Sequence, residues 1–284
     1  MIELLTYPFM VRALIAATVT GLAAPAIGTY LVQRRLALLG DGLGHVAVTG
    51  VALGLLTGTS PTWFAVLVAV VGAVGIEIIR ERGHTSGDVA LALLFYGGLA
   101  GGVLITGLAG QSASRLQEYL FGSITSVSAG DVLVTAVLAA VVIVACVGLL
   151  PQLFAVSQDE EFARVSGVPI RFYNLLVAVL AAVTVTVAMR TVGLLLVSAM
   201  MVVPVATAQQ LTRSFRSTLG AAMALGLGTA LGGLVLAAYF STIQLDVAPG
   251  PTIVLLSLTG FALTWPAGAW LRSRHRVSPE VADV

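Results

Sequence analysis

The sequence predicts an all-α protein, a polytopic membrane helix bundle of about nine transmembrane helices. Its 284 residues are 58% hydrophobic and only 10% charged, whereas soluble proteins carry about 25% charged residues. The apolar residues fall into many separate runs, several of about 20 residues, which is the length of a membrane-crossing helix. Segments of about ten residues with alternating polarity, typical of a membrane barrel, do not occur. We therefore expect one transmembrane domain over residues 1–284.

Each predicted span is an apolar run that ends at charged or turn-forming residues. The spans are Pro8 to Val32, Leu36 to Leu56, Trp63 to Ile79, Asp88 to Leu108, Val132 to Leu150, two within Phe172 to Leu211, Thr218 to Phe240, and Thr252 to Trp270. A tight outer turn is predicted at Arg190 and Thr191. Short cationic loops favour the cytoplasmic side, and nine spans place the loops at 34–35, 80–82, 213–216 and 272–276 there, with the N-terminus outside. If Phe172 to Leu211 is one broken element, the count is eight and the N-terminus lies inside.

The second span, Leu36 to Leu56, contains two ionisable residues. Asp41 and His45 are four residues apart, so on a helix their side chains lie on one face, one turn apart. Ionisable residues at membrane depth are costly and indicate a functional site. A carboxylate and an imidazole at this spacing can jointly bind a divalent cation. The alternative is a structural histidine that is hydrogen-bonded to an aspartate near the helix start.

Three other charged residues near span ends have two interpretations each. Asp246, beside the turn at 249–251, is a further candidate metal residue that would attract cations to an entrance; its alternative is a turn residue. Glu77 and Arg80, at the inner end of the third span, either reach lipid head groups or pair with each other.

The longest charged stretch between spans contains the segment QDEEFARVSGV. Its acidic start and its glycine predict a short amphipathic helix. An interfacial helix in the head groups is the alternative, but the negative cytoplasmic leaflet disfavours an acidic helix. A membrane protein without a nucleotide site could take energy from a partner through such a helix. The candidate coupling residues are Gln158, Asp159, Glu160, Glu161, Phe162, Ala163, Arg164, Val165, Ser166, Gly167 and Val168.

Several function classes lack their signatures in this chain. No P-loop, H-E-x-x-H or G-x-S-x-G pattern occurs, which disfavours an ATPase or an intramembrane hydrolase. The net charge of +1 does not indicate a nucleic-acid partner. The single cysteine, Cys146, excludes an intramolecular disulfide and a site made of several thiolates.

Five stretches together resemble the permease subunit of bacterial zinc and manganese ABC importers. They are RRLALLGDGLGHVAVTGVALGL at 34–55, EYLFGSI at 118–124, QDEEFARVSGV at 158–168, VAMRTVGLLLVSAMMVVPVATAQQ at 187–210 and APGPTIVL at 248–255. They occur in family order over nearly the whole chain. The sequence departs from the family at Gly44, where serine or alanine is expected, and at Gln209 and Gln210, where arginine is expected.

The resemblance implies a type II ABC importer-like permease in the bacterial cytoplasmic membrane, in contact with its lipids. It implies a homodimer of permease chains, separate ATP-binding subunits and an extracytoplasmic metal-binding protein. The divalent metal ion is the transported substrate, this chain binds no cofactor, and ATP hydrolysis belongs to the partner subunit. By the same resemblance, Asp41 and His45 lie on the permeation path and residues 158–168 form the coupling helix.

Other functions remain possible on the sequence alone. A secondary transporter or channel could use the same Asp and His pair without an ATPase, although it would not need the segment at 158–168. An intramembrane enzyme lacks a catalytic constellation. A chelate importer calls for a wider path than the glycine-flanked pair suggests. Carboxylate and imidazole ligands accommodate zinc, manganese and iron alike.

Overall fold

The computed structural model describes residues 7–81, 87–110, 120, 122, 128–242 and 247–273. Within them the regular secondary structure is entirely helical, as the sequence predicts. The helices are α1 (Pro8–Gln33), α2 (Leu39–Thr57), α3 (Pro61–Glu81), α4 (Gly87–Leu108), α5 (Ala129–Gly148), α6 (Leu150–Gln158), α7 (Glu160–Val165), α8 (Ile170–Val192), α9 (Leu194–Leu211), α10 (Phe215–Thr242) and α11 (Pro249–Ser273).

Eight of these helices, α1 to α5 and α8 to α10, are long and apolar enough to cross a membrane. The helix α11, with 25 residues, is a further helix of spanning length. The prediction of a polytopic helix bundle is therefore confirmed. The stretch Phe172 to Leu211, for which the sequence allows one or two spans, contains the two helices α8 and α9.

The break between α8 and α9 lies later than predicted. The sequence predicts a turn at Arg190 and Thr191, but α8 continues through both residues and ends at Val192. The break occurs at Gly193, whose φ of 90° and ψ of 149° are accessible to glycine and strained for other residues. A polar pair does not by itself interrupt a helix, whereas this backbone conformation does.

The segment between α5 and α8 contains two short helices rather than the single helix predicted at 158–168. Gln158 ends α6, and Asp159 caps α7 by accepting the backbone N–H groups of Glu161 and Phe162 at 2.9 and 3.0 Å. An N-cap residue has non-helical dihedrals, so Asp159 separates the two helices. The predicted stop is confirmed, since Gly167 follows α7 with a φ of 79°.

Several helix ends meet at one end of the bundle, which we call the ion-pair end. Arg34, directly after α1, lies 3.2 Å from Glu160 of α7. Arg171 in the first turn of α8 lies 3.1 Å from Glu81, the last residue of α3. The end of α1, the end of α3, α7 and the start of α8 are therefore on the same side, and α1 begins on the opposite side.

The helix α1 forms much of the core near the ion-pair end. Its fully buried Tyr30 donates a hydrogen bond of 2.5 Å to the carbonyl oxygen of Cys146 in α5. The ring of Tyr30 also packs at 5.2 Å against that of Phe215, the first residue of α10. The loop at 213–216 is thus at the same end as Arg34, in agreement with the predicted sidedness of the cationic loops.

Candidate functional site

The Asp41 and His45 side chains lie together near the start of α2. Asp41 is in the first turn, and its Oδ2 is 4.0 Å from Nε2 of His45. The aspartate is partly exposed and the histidine is largely buried. At 1.5 Å per residue, His45 lies about 9 Å along the helix from Leu39. The predicted arrangement of both side chains on one face is therefore present.

Asp41 and His45 are not joined by a hydrogen bond in this structure. A separation of 4.0 Å is too long for a hydrogen bond between the two side chains. The buried Nδ1 atom has no hydrogen-bond partner among the described residues. The ring instead makes an edge contact with Phe95 of α4 at 4.3 Å between ring centroids. Buried polar atoms are usually satisfied, so the unpaired Nδ1 atom leaves His45 available to a ligand.

The described residues of a single chain do not form a complete metal site. No group of three or more His, Cys, Asp or Glu side chains occurs there in a position to bind one ion. Zinc sites in proteins usually have four ligands, or three and a water. The pair therefore needs ligands from outside these residues. Asp246, the third candidate metal residue, lies outside the described residues, as does most of the motif at 118–124.

The helix α4 packs against α2 directly behind His45. An added Cβ atom at Gly98 would lie 2.5 Å from the backbone nitrogen of Val46 and 2.7 Å from the carbonyl carbon of His45. The carbonyl oxygen of Gly98 accepts a 2.6 Å hydrogen bond from Thr49 Oγ1. Glycine is thus required at position 98 for the helix contact that positions the imidazole.

We expect Gly98→Ala to lower the melting temperature of the purified protein in detergent. The added methyl group would meet backbone atoms that cannot rotate away, and overpacking of this kind costs about 1–3 kcal/mol. The control is Gly97→Ala, since a Cβ atom there meets nothing within 4 Å. Equal melting temperatures for both variants would show that the α2–α4 spacing adapts freely.

The helix α9 packs against the other side of the same turn. A Cβ atom at Gly44 would overlap the side chain of Leu194, and one at Gly40 would lie 2.7 Å from Sδ of Met201. Gly44 is a position where the family resemblance leads one to expect serine or alanine. Here the space of that side chain is filled by Leu194, so the departure preserves a close-packed helix contact.

The short helix α7 presents two apolar side chains to its outside. Phe162 is 66% exposed and Val165 is 89% exposed, whereas Ala163 is fully buried against its own chain. These two exposed apolar side chains form a candidate surface for a partner. The predicted coupling residues therefore divide into an inward face at Ala163 and an outward face at Phe162 and Val165.

The sequence interpretation missed Arg34 as a functional candidate. Glu77 and Arg80 do pair, at 2.7 Å, but Arg34 also lies 3.7 Å from Glu77. Burial lowers the pKa of the Arg34 guanidinium, and the charges of Glu77 and Glu160 oppose this shift. The signal in the sequence was Glu77 itself, a carboxylate within an apolar helix that requires a buried cation.

The sequence is similar to known membrane transport proteins. The sequence matches the ABC 3 transport family over residues 6–265. It is 33% identical to the manganese transport system membrane protein MntC of Halalkalibacterium halodurans, over 93% of this chain and 88% of that protein. It is 27% identical to the high-affinity zinc uptake system membrane protein ZnuB of Haemophilus influenzae, over 91% and 97% respectively.

A solved structure shows the same fold. PsaBC from Streptococcus pneumoniae, in complex with a Fab, has a chain that superimposes with a TM-score of 0.84 and 29% sequence identity. The match covers 96% of this chain and 98% of that chain. Membership of an ABC family also favours ATP-driven transport over a secondary transporter or channel. The chain belongs to the ABC 3 transport family.

Proposed function

We propose that this chain is the permease subunit of an ATP-driven importer of divalent metal ions, with zinc or manganese as the leading substrates and iron as a third. The observation that carries the proposal is the Asp41 and His45 pair, whose nearest polar atoms are 4.0 Å apart. Neither is committed to the other by a hydrogen bond. Carboxylate and imidazole groups suit these metals, and the similar proteins MntC and ZnuB are named for manganese and zinc.

The transport site forms between two copies of the chain. Each copy supplies Asp41 and His45, and a two-fold axis along the membrane normal gives four ligands, which is enough for a tetrahedral ion. The metal offsets the cost of two carboxylates in a membrane, and the carboxylates offset its desolvation. The site binds weakly, because transport requires release as well as capture.

Energy comes from separate ATP-binding subunits that contact α7. The full sequence has no P-loop of its own, and α7 exposes Phe162 and Val165 for docking. An extracytoplasmic metal-binding protein delivers the ion at the opposite end of the bundle. The chain is thus a single transport domain, without a resident cofactor, in the bacterial cytoplasmic membrane.

The ion-pair end faces the cytoplasm in this proposal. Arg34, Arg80 and Arg171 cluster there, and positively charged loops stay inside. We expect a reporter fused to the N-terminus to be active outside and one fused to the C-terminus to be active inside. Activity of both reporters on the same side would contradict this topology.

The test of the function is ATP hydrolysis by the reconstituted complex with its ATPase and its binding protein. We expect Zn²⁺, Mn²⁺ or Fe²⁺ to stimulate hydrolysis when delivered by the binding protein, and uptake into vesicles to require ATP. Metal uptake that proceeds unchanged without ATP and without the ATPase would instead indicate a secondary transporter or channel.

A further inference from the structure

A cluster of charged side chains connects three helices at the ion-pair end. Glu77 of α3 lies 2.7 Å from Nη1 of Arg80 and 3.7 Å from Nη2 of Arg34. The same Nη2 atom of Arg34 lies 3.2 Å from Oε1 of Glu160 in α7. Arg34 therefore joins the end of α1 both to α3 and to the short helix α7.

The charge balance of this cluster depends on Glu160. The side chains of Arg34 and Glu77 are only 5% and 3% exposed. Arg34 and Arg80 carry two positive charges, and Glu77 offsets only one of them. Glu160, whose side chain is 45% exposed, supplies the second negative charge. A buried cation without a partner is costly, so the cluster favours the position of α7 that brings Glu160 to Arg34.

Two further hydrogen bonds hold α7 and the end of α6 in the same position. Gln33 Nε2 donates to Gln158 Oε1 at 2.7 Å, and Asn174 Nδ2 of α8 donates to Glu160 Oε1 at 3.3 Å. A cleft of about 560 Å³ adjoins these contacts, so α7 is attached on this side by polar side chains rather than by a broad apolar interface. These contacts are therefore one route, beside the chain connections to α6 and α8, by which a displacement of α7 can reach the end of α1.

The attachment point leads directly to the candidate metal pair. Arg34 is followed by Arg35, which has the left-handed φ of 60°, and by Leu36, whose N–H donates to Leu31 at 2.8 Å. A non-glycine residue in this conformation persists only where its surroundings fix it. The connection from α1 to α2 is thus short and internally bonded, and Asp41 lies in the first turn of α2.

We propose that Glu160 is a positioning residue that links α7 to the Arg34–Glu77 pair, and through Arg34 to the start of α2. The link stays closed during transport and passes the displacement of α7 to the segment that carries Asp41. This inference rests on the proposed function, because it requires a partner ATPase that moves α7. It assigns to Glu160 a role within the chain, distinct from the outward docking face of Phe162 and Val165.

The first test compares Glu160→Ala with the matched control Glu161→Ala, an exposed neighbour in the same turn of α7. We expect the defect of Glu160→Ala to appear in metal stimulation measured per bound ATPase, because its partner Arg34 belongs to the same chain. The metal-stimulated hydrolysis and uptake of this variant should fall about tenfold, which is within the usual range of coupling between sites. Glu161→Ala should behave like the unmodified protein.

A second test joins the end of α1 covalently to the end of α6, next to the link. Gln33→Cys and Gln158→Cys introduce two thiols for a short bifunctional thiol reagent, and the one native cysteine, Cys146, is fully buried. The cross-link should leave stimulated hydrolysis intact and should restore it in Glu160→Ala. A purely structural loss, such as reduced folding, would not be rescued by reagent added after purification.

The outcomes separate this inference from the proposed function. Full metal stimulation of ATP hydrolysis in Glu160→Ala would overturn the link. Inhibition of metal-stimulated hydrolysis by the cross-link, in the protein that keeps Glu160, would also overturn it. In both cases metal-stimulated hydrolysis by the unmodified complex would still support the proposed transporter. Loss of ATPase binding in Glu160→Ala would also overturn the link, because Glu160 would then belong to the docking surface. Absence of metal stimulation in the unmodified complex would refute the proposed function itself.

Discussion

Replacing Asp41 or His45 by alanine is expected to abolish metal uptake and to leave assembly with the ATPase intact. In a symmetric dimer each substitution removes two of the four proposed ligands. Loss of a partner that merely supports a ligand already costs 10- to 100-fold in affinity or activity, so uptake should fall by more than about a hundredfold. Metal uptake into vesicles, with complex formation measured in parallel, tests this.

Two further variants separate charge from packing. Asp41→Asn keeps the shape of the side chain and removes the charge, so it should lose uptake as Asp41→Ala does. Leu53→Met, near the other end of α2, conserves volume and should be tolerated. Near-normal uptake by the Asp41 and His45 variants would refute the site. Loss of assembly in both would support the structural interpretation of the pair.

The helices were largely predictable because each apolar run must satisfy its own backbone hydrogen bonds in a membrane. The break between α8 and α9 was misplaced because polarity was weighted above backbone conformation: Arg190 and Thr191 continue the helix, and Gly193 ends it. Gln158 was similarly placed in the wrong helix. The sequence shows Asp159 as a helix-start residue, but only the observed hydrogen bonds fix it as the cap.

The sequence predicted the pairing of Asp41 with His45 but not the side chains that surround the pair. The spacing of Asp41 and His45 places them on one face of any helix. Their failure to hydrogen-bond, and the contact of His45 with Phe95, depend on how α4 packs behind α2. That packing is set by Gly98 against the backbone of His45, a contact between residues distant in sequence. The link from Arg34 to Glu160 is long-range in the same way.

The structure distinguishes apolar residues of α7 that are equivalent in the sequence by how far each is exposed. Ala163, Phe162 and Val165 are all apolar members of one short segment, and an amphipathic pattern over six residues does not determine which side packs inward. In the structure Ala163 is fully buried, whereas Val165 is 89% exposed. A charge at position 163 would therefore disturb the chain itself, and a charge at 165 would disturb only a partner.

Val165→Asp is accordingly expected to prevent co-purification with the ATPase while leaving expression, membrane insertion and melting temperature unchanged. Its side chain is almost fully exposed in the single chain, so the substitution costs the fold little. At an interface, an unpaired carboxylate in place of a central apolar side chain should cost about 2 kcal/mol or more, which is roughly thirtyfold in affinity. Metal-stimulated hydrolysis and uptake should be lost with the partner.

Val165→Ile is the matched control, because it keeps an apolar side chain at the same position and should bind the ATPase normally. Ala163→Asp provides the contrast: it places a carboxylate at a buried position without a partner, so it should lower the melting temperature of the isolated chain as well as abolish coupled uptake. Normal co-purification and normal metal stimulation by Val165→Asp would contradict docking at α7. The ATPase would then have to contact another part of the ion-pair end, where the start of α10 is the nearest alternative, because Phe215 packs against Tyr30 beside Arg34.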